Sequence, residues 1–277
     1  MIGLAIAHKM WDPMGFVAEP KIDWPLRRET LSLLPVSWET SPIMIESDTT
    51  PPTPRIKLIT CFSASHKALF DKMSASLPWE PGLELAVRYL EQDGDGSFRN
   101  DGWKRSTGRK IEFVVETLES LPDGSLILWV DVDIIFFRPV RDDLVRLMAE
   151  MRAEILFQSD KTELCAGFFI VRKTPKTMEL FHEVLRVLPD HRDDQVALNS
   201  IIAASGVRFG LLPHRYYTIG LDNPVWNGVS PLKLPKTITT LHANFTIGIE
   251  NKLKLIELVL AKMRPTTPLP ENPEPSQ

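Results

Sequence analysis

From about residue 55 onward, apolar and polar positions alternate in blocks whose period changes between strand-like and helix-like. Arg55–Ser63 (RIKLITCFS) is a short apolar run ending in polar residues, the pattern of a buried strand. Leu83–Leu90 (LELAVRYL) alternates at period two and predicts a second strand. Residues 109–121 place Ile111, Val114, Val115, Leu118 and Leu121 at helical spacing, which predicts an amphipathic helix. Ser125–Val130 (SLILWV) is a continuous apolar strand that runs into Asp131 and Asp133. Glu154–Gln158 and Gly167–Val171 read as two more strands. Thr174-Pro175 supplies an N-cap and a proline at the first helical position, and the helix it opens has Met178, Phe181, Leu185 and Leu188 as its apolar face. A further helix is expected from Asp193-Asp194 to Gly206, with Leu198, Ile201 and Ile202 facing inward. Strands at 208–212 and near 239–244 and a helix over about 251–262 complete the series. Continuous apolar strands alternating with helices predict an α/β sheet covered on both faces.

Composition divides the 277 residues. Of 23 prolines, eight lie in residues 1–54 and five in 265–277, so the middle segment has an ordinary share and the ends are enriched. The expected organisation is a proline-rich N-terminal extension (1–54), one domain (55–264) and a disordered proline-rich tail (265–277). Hydrophobic residues at 43% and charged residues at 25% exclude a chain disordered throughout. A net charge of -4 gives no global field that would favour nucleic acid as a partner. Cys61 and Cys165 are too few for a disulfide framework and are not clustered as a zinc site needs. No apolar stretch approaches the length of a bilayer helix, and the N-terminus lacks the basic start and cleavage site of a secretory signal. These features predict a cytoplasmic protein without a transmembrane segment.

The candidate chemistry centres on LILWVDVDIIFFRP. In an extended backbone, positions i and i+2 share a side, so Asp131 and Asp133 can converge on one point. They stand at the carboxyl end of a buried strand, where open α/β sheets bind ligands. Two adjacent carboxylates repel unless a cation or proton lies between them, and Mg²⁺ or Mn²⁺ would relieve that repulsion and hold a diphosphate. The bland alternative is a pair of solvated aspartates at a strand end. Asp194 and Gln195 open a helix, where a carboxylate is also a natural cap. Asp193 could fill that role instead, because helical phase turns Asp194 inward with Leu198. Lys110 lies at the edge of its helix's apolar face, whereas Arg109 falls on the solvent side. Gly248 and Lys252 suit a loop approaching phosphate. Trp226 could stack on a sugar, although a loop tryptophan is more often packing.

Four blocks in order carry a resemblance: VDVDIIFFRP, CAGFFIVRKTP, DDQVALN and LHANFTIGIENK. Together they resemble the nucleotide-diphospho-sugar transferase family of GT-A-fold glycosyltransferases, and more distantly its glycogenin-like members. The resemblance implies a GT-A-like, Rossmann-like mixed sheet, mostly parallel. It implies a divalent metal held by the D-x-D pair Asp131 and Asp133 together with His242. An imidazole ligand favours Mn²⁺ over Mg²⁺. It further implies that Asp194 and Gln195 are the catalytic pair beside the anomeric carbon, binding sugar hydroxyls or acting in a retaining mechanism, and that Gly167 admits the sugar. Asp160 would contact sugar hydroxyls, Lys110 the donor or the first aspartate, Gly248 and Lys252 the phosphates, and Thr60–Ser63 the nucleoside base. Cys165-Ala166 replaces the more usual threonine or asparagine before the glycine.

The implied activity is transfer of a sugar from a nucleotide-sugar donor to a glycan, lipid or protein hydroxyl, with retention of configuration. Two alternatives stand beside it. One is a sugar- or nucleotide-binding protein that keeps the fold without catalysis. The other is a phosphohydrolase with Asp131 as nucleophile and Asp133 as general acid, disfavoured because Ile134, Ile135 and Phe136 follow the pair and supply no hydroxyl.

Overall fold

The computed structural model describes residues 54–91, 101–161 and 163–263. Nearly all of the expected N-terminal extension and tail lies outside these residues.

Strand β1 (Ile56–Phe62) is followed by helix α1 (Lys67–Ser76), strand β2 (Leu83–Tyr89) and helix α2 (Asp101–Ser120). Next come β3 (Leu126–Val130), β4 (Ile134–Phe136), α3 (Arg141–Glu150), β5 (Ile155–Asp160) and β6 (Glu163–Arg172). Helices α4 (Pro175–Val187) and α5 (Asp194–Ile201), strands β7 (Phe209–Leu211), β8 (Tyr216–Thr218) and β9 (Thr240–His242), and α6 (Ile249–Met263) complete the described chain. Six strands form one sheet in the order β2-β1-β3-β6-β5-β7, and β4-β9-β8 form a second, smaller sheet. In the larger sheet β1 runs parallel to β2 and β3, and β5 parallel to β7, while β6 is antiparallel to both neighbours. The expected α/β class with a mostly parallel sheet is therefore observed.

Period-two alternation divides the core between the sheet faces. Ile56, Leu58, Leu126, Leu128, Val130, Leu156, Phe168 and Ile170 pack with α1, α3 and β4 through Met73, Leu144, Leu147 and Phe136. On the other face Phe169 lies between Phe157 and Phe181 of α4, with ring centroids 5.5 Å away in each case. Helix α2 packs against β1, β3 and α4.

Several elements depart from expectation. Helix α2 begins eight residues before Arg109. Helices α1 and α3 and the short strands β4 and β8 have no counterpart in the periodicity analysis. The buried side of α4 is Thr177, Leu180, Phe181 and Val184, so the stripe is rotated from the one drawn through Met178 and Leu185. Helix α5 stops at Ile201, with Ile202–Ala204 continuing as a 3₁₀ turn. The Thr174 cap is present as expected: its hydroxyl accepts from Thr177 N–H, the Thr177 hydroxyl accepts from Thr174 N–H, and Pro175 follows.

Candidate functional site

The carboxyl ends of β1, β3, β5 and β9 bring together most of the residues singled out in the sequence. Asp131 follows the last residue of β3, and its N–H donates to Gly167 O at 2.8 Å. The chain then turns, with Ile134 N–H donating back to Asp131 O at 3.2 Å. The two aspartates therefore converge through a tight turn rather than by strand alternation. Asp131 Oδ1 accepts from Trp129 Nε1 at 2.7 Å and lies 3.3 Å from Lys110 Nζ. Asp133 Oδ1 lies 3.2 Å from His242 Nε2, and its Oδ2 accepts from Lys252 Nζ. One ligand atom each of Asp131, Asp133 and His242 lies within 4.8 Å of the others.

His242 reaches this point because β9 pairs with both β4 and β8, opposite Ile134 and Thr218. Its other ring nitrogen, Nδ1, meets Cys165 Sγ at 3.4 Å, a contact that no local sequence signal announces. A Cβ at Gly167 would fall 2.3 Å from His242 Cε1 and 2.8 Å from Asp131 Oδ2. The space that only glycine leaves open is thus filled by two of the clustered side chains, where the resemblance had reserved it for a sugar.

A second charged cluster adjoins the first. Lys110 is buried, donates to Ala166 O at 2.7 Å, and lies 2.8 Å from Asp194 Oδ2 as well as near Asp131. Asp193 caps α5, accepting from Val196 N–H at 2.8 Å, which leaves Asp194 turned inward and buried. Gln195 accepts from Ala166 N–H at 3.1 Å and donates to Asp160 Oδ2 and Glu163 Oε2, each at 3.1 Å. Asp160 Oδ1 also accepts from Asn244 at 3.3 Å. Asn199 clamps Leu164 through both its N–H and its carbonyl, at 2.9 Å each, and so docks α5 on the start of β6.

Burial alone would neutralise these groups, and their partners decide which stay charged. Burial pushes the Asp133 carboxyl up, but Lys252 and His242 outweigh it and hold it well below the usual range. Burial lowers His242, yet the Asp133 charge raises it well above an ordinary imidazole. Lys110 is likewise held charged, burial being overcome by Asp131 and Asp194. Asp194 and Asp160 are raised, chiefly by burial.

The remaining residues separate. Thr60 is fully buried within β1, and its hydroxyl has no hydrogen-bond partner among the described residues. Ser63 does stand at that end, 3.3 Å from Ser65 Oγ. His66 lies 2.9 Å from Ser65 Oγ, and its imidazole is lowered by burial and then by Lys252. Gly248 has φ +89 and open space around a would-be Cβ, and stands at the backbone turn into α6. Trp226 is buried and donates to Ser230 O at 2.8 Å, which makes it packing.

Two carboxylates and an imidazole form a donor set suited to a divalent cation. These residues fit the metal that the resemblance implies, with His242 held between Asp133 and Cys165 in the manner of an oriented metal ligand.

A profile of the nucleotide-diphospho-sugar transferase family matches residues 74–256. The UDP-galactose:fucoside alpha-3-galactosyltransferase of Dictyostelium discoideum is 26% identical over 100 residues, covering 32% of this chain and 15% of that protein. The chain thus matches only a fraction of that relative's length. A glycosyltransferase involved in glycosylation of the PBCV-1 major capsid shares the fold, with a TM-score of 0.52 at 10% identity over 74% of this chain and 100% of that one. No described helix is long and apolar enough to cross a membrane. With the profile spanning most of the described chain, this protein belongs to the nucleotide-diphospho-sugar transferase family.

Proposed function

We propose that the protein transfers a sugar from a nucleotide-diphosphate donor to an acceptor hydroxyl in a metal-dependent reaction, with retention of configuration. One observation carries this reading: the ligand atoms of Asp131, Asp133 and His242 lie within 4.8 Å of one another at the carboxyl ends of β3 and β9. Bound there, a divalent cation supplies positive charge to the diphosphate as the glycosidic bond breaks, and the imidazole favours Mn²⁺ over Mg²⁺.

The chain's own residues do the rest. Lys252 places an ammonium at Asp133 and is available to a phosphate oxygen as the charge on the leaving group develops. Lys110 fixes both Asp131 and Asp194, so neither carboxylate can swing away from the site. Gln195 ties the β6 backbone to Asp160, which leaves Asp160 and Asp194 as the acceptors for donor sugar hydroxyls beside the anomeric carbon. The strand end at Ser63, with Ser65 and His66, offers hydroxyl and imidazole groups to the nucleoside. Lys110 and Gly167 support the metal-facing side chains, and Gly248 sets the turn that presents Lys252. The acceptor is a glycan, lipid or protein hydroxyl, and the reaction is assigned to the cytoplasm.

A second reading, binding without turnover, has one observation in its favour: Asp133 is already neutralised by His242 and Lys252. The two are separated by calorimetry with UDP and GDP, with and without Mn²⁺, on wild type and Asp133→Ala, followed by donor turnover. UDP comes first because the Dictyostelium relative's name specifies that donor. Nucleotide binding that requires both Mn²⁺ and Asp133, with donor consumed in the presence of acceptor sugars, supports the transferase. Metal-independent binding unaffected by Asp133→Ala removes the cluster from the site. The anomeric proton of the product, read by NMR, decides retention against inversion.

A further inference from the structure

Strand β2 is the outer edge of the six-stranded sheet, and among the described residues no strand pairs with its far side. Edge strands of stable monomers are usually guarded by lysine, proline, a bulge or a covering element. The β2 sequence LELAVRY has no proline or lysine and pairs with β1 in unbroken register. One face of it is apolar and open: Leu85 is 40% exposed, Val87 41% and Tyr89 59%. The opposite face carries Glu84, which accepts from Arg55 at 3.1 Å with both side chains exposed, and Arg88, which lies 4.0 Å over the Phe113 ring and pairs with Glu116 of α2.

The backbone phase at this edge follows from the pairing with β1. Ile56 N–H donates to Gly82 O and Leu90 N–H donates to Phe62 O, both at 2.8 Å, in a parallel register that sets Ile56 opposite Leu83. Even-numbered β2 residues therefore turn their backbone groups toward β1, and the odd-numbered ones, 83, 85, 87 and 89, turn theirs outward. Any strand added there must hydrogen-bond through the odd residues.

We infer that β2 pairs antiparallel with β2 of a second copy of this chain, about a two-fold axis at Ala86. In that register Leu85 faces Val87 of the other copy, and Leu83 faces Tyr89, as hydrogen-bonded pairs. Their side chains form one apolar stripe across both edges. On the other face Glu84 stands opposite Arg88 twice, once on each side of the axis. Arg88 keeps Glu116 while doing so, because a guanidinium carries five donors. No neighbouring register does this. Centring on Leu85 sets Glu84 against Ala86 and Arg88 against Gly82, centring on Val87 sets Arg88 against Ala86, and centring on Glu84 or Arg88 sets like charges face to face. The surface is thus self-complementary in hydrogen bonds, apolar area and charge at a single register, as an isologous interface requires. None of these residues belongs to the Asp131–Asp133–His242 cluster.

The test is sedimentation and light scattering on the full chain across a concentration series. The expected result is a reversible species of twice the 31.4 kDa chain mass. Val87→Lys should return it to a monomer with an unchanged circular dichroism spectrum. Glu84→Arg should weaken the dimer roughly tenfold, since it sets like charges opposite each other on both sides of the axis. Ala86 falls in a non-hydrogen-bonded pair, whose Cα separation of about 4.5 Å admits a disulfide. Ala86→Cys should therefore cross-link on mild oxidation well beyond the wild type, which supplies the background from Cys61 and Cys165. A wild type that stays monomeric at every concentration overturns the inference. So does a dimer that ignores Val87→Lys and whose Ala86→Cys variant does not cross-link.

Discussion

A methyl group at position 167 would meet His242 Cε1 at 2.3 Å and Asp131 Oδ2 at 2.8 Å, and neither side chain is free to retreat. His242 is held by Asp133 and Cys165, and Asp131 by Trp129 and Lys110. Under the proposed function, Gly167→Ala is therefore expected to weaken UDP binding in the presence of Mn²⁺ at least tenfold by calorimetry, and in any case to cost about 1–3 kcal/mol of folding stability from overpacking. Lys110 makes a different kind of prediction. It is a buried ammonium shared by Asp131 and Asp194, so Lys110→Met leaves two carboxylates without their counter-charge. Urea unfolding should show a loss of about 3–5 kcal/mol, partly recovered when Asp194→Asn is added. At this scale the sequence was informative where chemistry is written in local pattern. The D-x-D pair at a strand end and the inward phase of Asp194 could be read directly. Cys165 beside His242 and Asn244 beside Asp160 could not, because each contact spans 77 or 84 residues and depends on how the two sheets meet.

At the scale of elements, α2 and α6 are legible from apolar periodicity, and two further helices carry their own start signals. Helix α4 has Thr174 and Pro175, and α5 has Asp193. Helix α3 has neither: Val140 stands at its N-cap and provides no side-chain acceptor. Its first N–H groups are satisfied instead by Glu80, whose two carboxylate oxygens accept from Val140 N–H and Arg141 N–H at 2.9 Å each. A cap supplied from 60 residues away leaves no local trace, which is why α3 went unread. Glu80→Ala should accordingly destabilise the protein by about 1–2 kcal/mol, seen as a lower urea midpoint with an unchanged slope, and Glu80→Gln by less because one acceptor oxygen remains. Strands β4 and β8 are three residues each, no longer than β7 and β9, and no alternation sets them apart from their flanking residues.

The whole molecule depends on how the three-stranded sheet is fastened to the larger one, since β9 carries His242 while β3 leads into Asp131. Parallel alternation could be read from the chain, but the insertion of antiparallel β6 between β3 and β5 could not, because apolar runs such as GFFIV carry no sign of direction. Side chains make the fastening. Gln158 of β5 donates to Thr240 of β9 at 3.2 Å, and Thr218 of β8 donates to Ser159 O at 2.9 Å. Asp143 of α3 extends it, accepting from Arg215 at 2.8 Å, Tyr216 at 2.7 Å and Arg146 at 2.6 Å. Burial raises the Asp143 carboxyl, but these three hydrogen bonds outweigh it and hold the group below the ordinary carboxylate range. A carboxyl depressed in the folded state contributes stability that is fully present above its unfolded value of about 3.9. That contribution is lost as pH falls through the lower folded value. Asp143→Asn should thus cost roughly 0.5–1.5 kcal/mol at neutral pH, the range being modest because Asp143 and Arg215 are partly solvated. The difference between variant and wild type in urea midpoint should stay constant from pH 7 down to about 5 and shrink below about pH 4. A difference that is unchanged at pH 3 would show that Asp143 acts through packing, and the link between α3 and β8 would then owe nothing to its charge.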